Sequence, residues 1–200
     1  MMKNLDPAAG KTQGSEPVRT ALIEAAADLL GEIGPRTLSV RQIAERAGVN
    51  HGQIHHYFGG KRGLLEAAIR HLARDHFQQS LARADGAAIP PPLSLGEDPR
   101  YFRALCQAVM DDDLDLIRTV DTDHEISVPL RVLRTLQAQK AGQDPLEVKA
   151  LFAVACAFEL GWVAFEKLIL MAAEVAPEDQ EVVRNTVKRL LSENIYTMLD

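Results

Sequence analysis

The feature that most constrains this chain is Ser39-Val-Arg-Gln42 followed, after four residues, by Ala47-Gly48-Val49-Asn50. A serine three residues before a glutamine can accept from a backbone N–H while the glutamine reaches back, so a helix starts there. That helix runs through Ile43 and Ala44 to Ala47, and Gly48 suits the left-handed position just past a helix end. Asn50-His-Gly-Gln53 repeats the box pattern. A second short helix, carrying HGQIHHYF, therefore starts near Asn50 and stops at Gly59-Gly60. Two short helices joined by a four-residue turn have little freedom. Ile43, Ala44, Val49 and Ile54 are the apolar pins that lock them, and Ala44 is small because the helices approach there.

The flanking sequence extends this unit. Val18, Ala21, Leu22, Ala25, Leu29 and Ile33 recur at helical spacing from Pro17 onward. Gly34-Pro35 ends that helix. Residues 1–16 are polar and rich in small residues, as in a flexible arm. A long helix spans 61–84, followed by a Pro/Gly-rich loop over 85–99. Helices are then expected near 99–112, 114–122, 125–140, 145–175 and 177–199, with Pro129 in a first turn or at a kink. Strand-like alternation and internal repeats are absent, so the expected fold is all-α. Its parts are an arm (1–16), a helix-turn-helix domain (17–62) and a helical domain (63–200) whose 63–84 segment connects the two. The 145–175 helix is apolar nearly all round, which predicts cover on most sides. The last helix is amphipathic, with Val183, Val187, Leu190, Leu191 and Met198 facing inward.

Charge is divided unevenly. The net charge of −6 combines 10 basic and 8 acidic residues in 1–75 with 12 and 20 in 76–200. Within 36–62, Arg36, Arg41, Arg46, Lys61 and Arg62 stand against Glu45 alone. A basic patch and an acidic remainder point to two jobs. Two distant cysteines, Cys106 and Cys156, form no disulfide framework. The N-terminus lacks the apolar core of a signal peptide. Glu159, Glu166 and Lys167 interrupt the most apolar stretch, so no membrane span is expected there. A cytoplasmic protein is the expectation.

His51 and His55 are four apart, the spacing at which two imidazoles can grip zinc on one helix face. No third ligand of matching spacing follows, and Gly52 stands where an HExxH base belongs. LDPAAGKT (residues 5–12) ends like a phosphate-binding loop but lacks its first glycine and a preceding strand. His71 and Asp75 pair more naturally on a helix surface than in catalysis. The acidic run from Asp111 to Asp115, with Asp121, Asp123, His124 and Glu125, fits a solvated helix start better than a cation site. No catalytic residue, metal ligand or cofactor is assigned, and no enzyme activity is expected. What remains is a short helix presenting His51, Gln53, His55, His56 and Tyr57, groups suited to base edges and phosphates in a major groove.

The stretch TALIEAAADLLGEIGPRTLSVRQIAERAGVNHGQIHHYFGGKRGLLEAAI resembles the DNA-binding domain of the TetR/AcrR family of regulators. The marks are Ala25-Ala26, Leu29-Leu30, Gly34, Ser39 with Ile43-Ala44, Ala47-Gly48-Val49, Gly52, Phe58, Lys61 and Leu64-Leu65. The resemblance covers about residues 18–70. It implies a homodimer that places one helix per subunit in a major groove of a palindromic operator. His51, Gly52 and Gln53 would face bases, Arg41 would assist, and His55, His56, Tyr57, Lys61, Thr37 and Ser39 would hold phosphates. His55 replaces a usual tyrosine, Gly60 a usual cap, and Arg62 a usual acid. The first and third changes suggest stronger phosphate attraction. A small-molecule effector, apolar or aromatic, would enter the C-terminal domain near Phe102, Cys106, Met110, Phe152, Glu159 and Trp162, and release a repressor from DNA. The apolar character of those residues suggests the apolar or aromatic ligand, and Glu159 leaves a cationic one as the alternative. Two other classes stay open: an all-α metal-dependent enzyme built on 111–125, and a DNA-binding factor without effector.

Overall fold

The computed structural model describes residues 15–87, 90–121 and 126–199, with side chains described to Glu193. Among the described residues the fold is all-α. The helices are α1 (Ser15–Thr37), α2 (Val40–Ala47), α3 (Gly52–Phe58), α4 (Lys61–Ala84), α5 (Pro99–Met110), α6 (Leu114–Asp121), α7 (Val128–Gln139), α8 (Pro145–Ala172) and α9 (Gln180–Leu199). Short 3-10 turns lie at Ser94–Glu97 and Pro177–Asp179. The chain forms two compact units, one from Met1–Ala73 with Arg100–Thr122, the other from Arg74–Pro99 with Asp123–Asp200. The expected boundary at 62/63 does not coincide with this division: α6 and nearly all of α5 belong to the unit that holds α2 and α3.

In the first unit, α1 starts at Ser15, two residues before the expected Pro17, and the rest of the arm (1–14) lies outside the described residues. The α1 helix breaks at Gly34, whose φ of 77° and ψ of 163° are not helical. The Ser39 box forms as its sequence predicts. Gln42 N donates to Ser39 Oγ at 3.3 Å, and Ser39 N donates to Gln42 Oε1 at 2.9 Å. Gly48 takes φ 68° and its N–H returns to the Ala44 and Glu45 carbonyls, which satisfies the end of α2. Ile43, Ala44 and Ile54 are buried with Leu22, Leu30, Leu38, Leu64 and Ile69, while Val49 is half-buried. Each fully buried Leu or Ile of this cluster contributes about 1.5–3 kcal/mol of transfer free energy.

The second box does not form. Asn50 Oδ1 accepts from Gly52 N at 2.8 Å, and the Asn50 carbonyl, rather than its side chain, receives Gln53 N at 3.0 Å. This is an Asx turn, so α3 begins at Gly52, later than Asn50.

In the second unit, Ser127 Oγ caps α7 through Leu130 N at 3.3 Å, with Pro129 in the first turn. Asp144 caps α8 through Leu146 N at 2.9 Å. The Glu159 carboxylate ties α8 to the 3-10 turn, accepting from Leu93 N at 2.5 Å and Leu95 N at 3.1 Å. Burial pushes this carboxyl above its ordinary range, and the two N–H donors pull it partly back. Arg184 reaches Glu166 at 2.6 Å, holding α9 to α8. Among the described residues, the expected cover on α8 is not seen. Val148 and Leu170 are its buried residues, while Val154, Phe158, Leu160, Phe165, Leu168 and Ile169 are exposed. On α9, Val183, Val187 and Leu191 are half-buried and Leu190 is exposed; Met198 lies outside the described side chains.

Candidate nucleic-acid interface

The candidate site is the outer side of α3 with its neighbours on α2 and α4. Ile54 is driven into the core, which turns His51, His55 and His56 to solvent and leaves Gln53 and Tyr57 half-buried. Gly52 has an internal reason beyond close approach to a ligand. A Cβ there would sit 3.3 Å from Asn50 Oδ1, the atom that starts the helix. The rings of His56, Tyr57 and Phe58 form an edge-to-face row, with centroids 4.8 Å and 6.4 Å apart.

Hydrogen bonding separates the residues expected to meet DNA. Ser39 Oγ donates to Gln42 Oε1 at 2.7 Å while accepting from Gln42 N, so its hydroxyl serves the α2 cap and not a phosphate. Thr37 and Arg41 are exposed, as are Gly52, His55 and His56 of α3. Among the described residues, Thr37, Arg41, His51, Gln53, His55, His56 and Lys61 have no hydrogen-bond or ion-pair partner for their side chains. The failed second box is what leaves the Gln53 amide unclaimed.

The basic patch is smaller than composition suggests. Arg46 holds Glu32 through two bonds of 2.9 and 2.8 Å. Arg62 grips both oxygens of Asp113, at 2.8 and 2.9 Å, and Glu66 at 2.7 Å. Its expected contribution to phosphate attraction is therefore largely cancelled in place. Arg36 donates through its guanidinium to the Asp111 carbonyl at 3.1 Å, and its backbone N–H to Asp111 Oδ2 at 2.7 Å. The acidic run is thus built into the first unit. Among the described residues no cluster of three or more metal-ligating side chains occurs, and Asp123, His124 and Glu125 lie outside them. His71 meets Glu24 at 2.8 Å.

The residues expected at an effector pocket divide between the units. Phe102, Cys106 and Met110 are in the first, Phe152, Glu159 and Trp162 in the second. Met110 is 82% exposed, which suits no enclosed cavity. Both Glu159 oxygens already accept backbone N–H groups, so selecting a cation is not the role its geometry supports. A cleft of about 130 Å³ lined by Asp28, Gly31, Glu32, Arg100 and Arg103 is small and charged, unlike a pocket for an apolar ligand. Sequence reading missed Gly63. A Cβ there would lie 2.1 Å from the Phe58 carbonyl oxygen, so this glycine lets α4 close against the end of α3. A glycine inside an otherwise good helix pattern was the available signal.

Comparison with known proteins agrees with this geometry. Residues 22–68 match the family described as bacterial regulatory proteins, tetR family. The HTH-type transcriptional regulator BetI of Yersinia pestis is 39% identical over 100 residues, half of this chain and 48% of that protein. The HTH-type transcriptional regulator Mb3439c of Mycobacterium bovis is 36% identical over 98 residues, 49% of this chain and 50% of that protein. The chain spans about half the length of the curated relatives it matches. Among solved structures, a Rhodococcus regulator described as putative TetR-family superposes with a TM-score of 0.58 at 22% identity, covering 92% of this chain and all of that one. A HlyIIR mutant gives 0.57 at 18% identity, covering 89% and 97%. At these identities the likeness is one of fold. The helix-turn-helix unit is of the class found in DNA-binding regulators. Through it, residues 22–68 are similar to the DNA-binding domain of the TetR family.

Proposed function

We propose that this protein is a homodimeric transcriptional regulator that binds a palindromic operator and is released from it by a small molecule. The observation that carries the reading is the unpartnered polar face of α3 beside two unpaired cations, Arg41 and Lys61. On a merely solvated helix face, groups of this kind are ordinarily mixed with Lys/Glu pairs. Here, His51, Gln53, His55 and His56 stand together with no carboxylate bonded to them. Gln53 can make two hydrogen bonds to an adenine edge, and Arg41 can reach a base from the helix before. Lys61, His55, His56, Tyr57 and Thr37 then hold phosphates and set register.

An exposed apolar face in the other unit supports a second copy as partner. Val154, Phe158, Phe165 and Ile169 recur along one side of α8 and stay exposed, together with Val182 and Leu190 of α9. An apolar stripe of this extent on a soluble chain marks an association surface. By length and composition α8 also passes for a membrane span, at a mean hydropathy of 1.7 with 6% of that window buried. Glu159 and Glu166, both bonded within the unit, favour a protein partner over lipid. The effector reading rests on family resemblance and on the half-buried Phe152 and Trp162. It requires about 2.7 kcal/mol of coupling for a 100-fold loss of operator affinity.

The test is selection of genomic duplex fragments by the purified protein. Enrichment of a palindrome, lost in the Arg41→Ala/Gln53→Ala double variant, supports the reading. No enriched site, or undiminished binding by that variant, removes it. Operator binding indifferent to every metabolite tried would leave a DNA-binding factor without effector.

A further inference from the structure

The first unit is economical with its positive charge. Among the described residues, three of its Lys and Arg side chains have no hydrogen-bond or ion-pair partner: Arg19, Arg41 and Lys61. Arg41 and Lys61 flank α3 in sequence and carry the DNA reading above. Arg19 lies on α1, far from both in the chain, and no sequence motif singles it out. Its guanidinium stands 5.7 Å from the centroid of the Phe58 ring. Phe58 is the last residue of α3 and the end of the His56–Tyr57–Phe58 row of rings. The row therefore runs along the end of α3 and terminates in a cation from another helix.

We propose that Arg19 is a phosphate anchor for duplex DNA, held beside the end of α3 by its cation–π contact with Phe58. The proposal rests on the reading of α3 as the helix that enters the groove. A cation–π contact claims none of the guanidinium's N–H donors, so they stay available for bonds to a phosphate. Arg19 is exposed, and Glu16, one turn earlier, makes no ion pair with it. A cation whose only task was to pin α1 to α3 would have the same ring contact, so salt dependence has to separate the two roles. A phosphate contact releases counterions and adds to the slope of log affinity against log salt, whereas a structural staple does not.

The experiment measures binding of the full-length protein and its Arg19→Ala and Arg19→Lys variants over a salt series. Two probes are used: the duplex enriched by the selection above and a random-sequence duplex of equal length. Arg19→Ala is expected to weaken binding to both and lower the slope by about 1 per subunit. Over a fourfold rise in salt, the wild-type advantage then shrinks about 3.5-fold per subunit. Arg19→Lys is expected to keep the slope while recovering only part of the affinity, because an ammonium lacks the flat face and paired edge donors. An unchanged slope in Arg19→Ala, whatever happens to its melting temperature, overturns the proposal. A wild-type protein that binds neither duplex overturns the regulator reading itself, and this inference with it.

Discussion

Gly48 and Gly63 serve opposite needs within the same small unit. Gly48 is required by its backbone: φ is 68°, and a Cβ would meet nothing within 4 Å. Gly48→Ala should therefore cost about 1–2 kcal/mol, the left-handed penalty alone. Gly63 is required by its neighbour, since a Cβ would lie 2.1 Å from the Phe58 carbonyl. That contact is with backbone and cannot be relieved by a rotamer change. Gly63→Ala should cost more than Gly48→Ala, at or above the usual 1–3 kcal/mol of overpacking, and should disturb α3 itself. Chemical denaturation of both variants checks the order; a Gly63→Ala protein more stable than Gly48→Ala would contradict it. Gly48 was legible because its role is local and falls after a helix pattern. Gly63 was not, because its constraint is a distance to another element's carbonyl. The same difference separates Ser39, whose box is written within four residues, from Arg62, whose partner Asp113 is remote in sequence.

At the scale of elements, α5 is fastened to α1 by ion pairs, and α6 is held by Arg70, which donates to the Thr119 carbonyl at 3.1 Å. Arg100 of α5 meets Glu24 at 2.5 Å and Asp28 at 2.8 Å on α1, and His71 of α4 meets the same Glu24. Burial alone would raise the Glu24 carboxyl, but Arg100 and then His71 outweigh it and hold it below its ordinary 4.5. A carboxyl depressed in the folded state contributes stability above its unfolded value and loses it as pH falls through the folded one. Glu24→Gln should therefore lower the melting temperature at pH 7, while its difference from wild type closes as pH falls below 4.5. The side chain is 42% exposed, so screening limits the effect to about 0.5–1 kcal/mol. Thermal melts from neutral to acid pH measure this; a constant difference would remove the ion pairs from the explanation. Periodicity placed nearly every helix within a few residues. It could not show that α5 and α6 belong with the first three helices, since matching charges on separate elements leave no pattern in either one.

At the scale of the molecule, the apolar face of α8 stays exposed among the described residues. Phe158 is 57% and Phe165 58% exposed. An all-round apolar helix was legible in the sequence, and the expectation of burial followed from it. Periodicity alone does not distinguish cover by the same chain from cover by another. If a second copy provides it, Phe165→Glu should convert dimers to monomers in sedimentation and weaken operator binding by losing the paired half-sites. A dimer that persists undiminished would place the interface elsewhere. The helix-turn-helix needed no such partner to be recognised, because its pins, turn and caps all fall within residues 39–59. The unpartnered state of Gln53 was visible only once the second capping box proved to be an Asx turn.

Whether α3 reads bases is settled by one comparison: the affinities of wild type and Gln53→Ala for the selected duplex and for each of its single-base-pair variants. If Gln53 meets a base edge, the variant loses about 1–3 kcal/mol on the parent duplex and becomes indifferent to one base pair in each half-site. An equal loss on every duplex, with preference intact at all positions, would contradict a base-reading role for the helix.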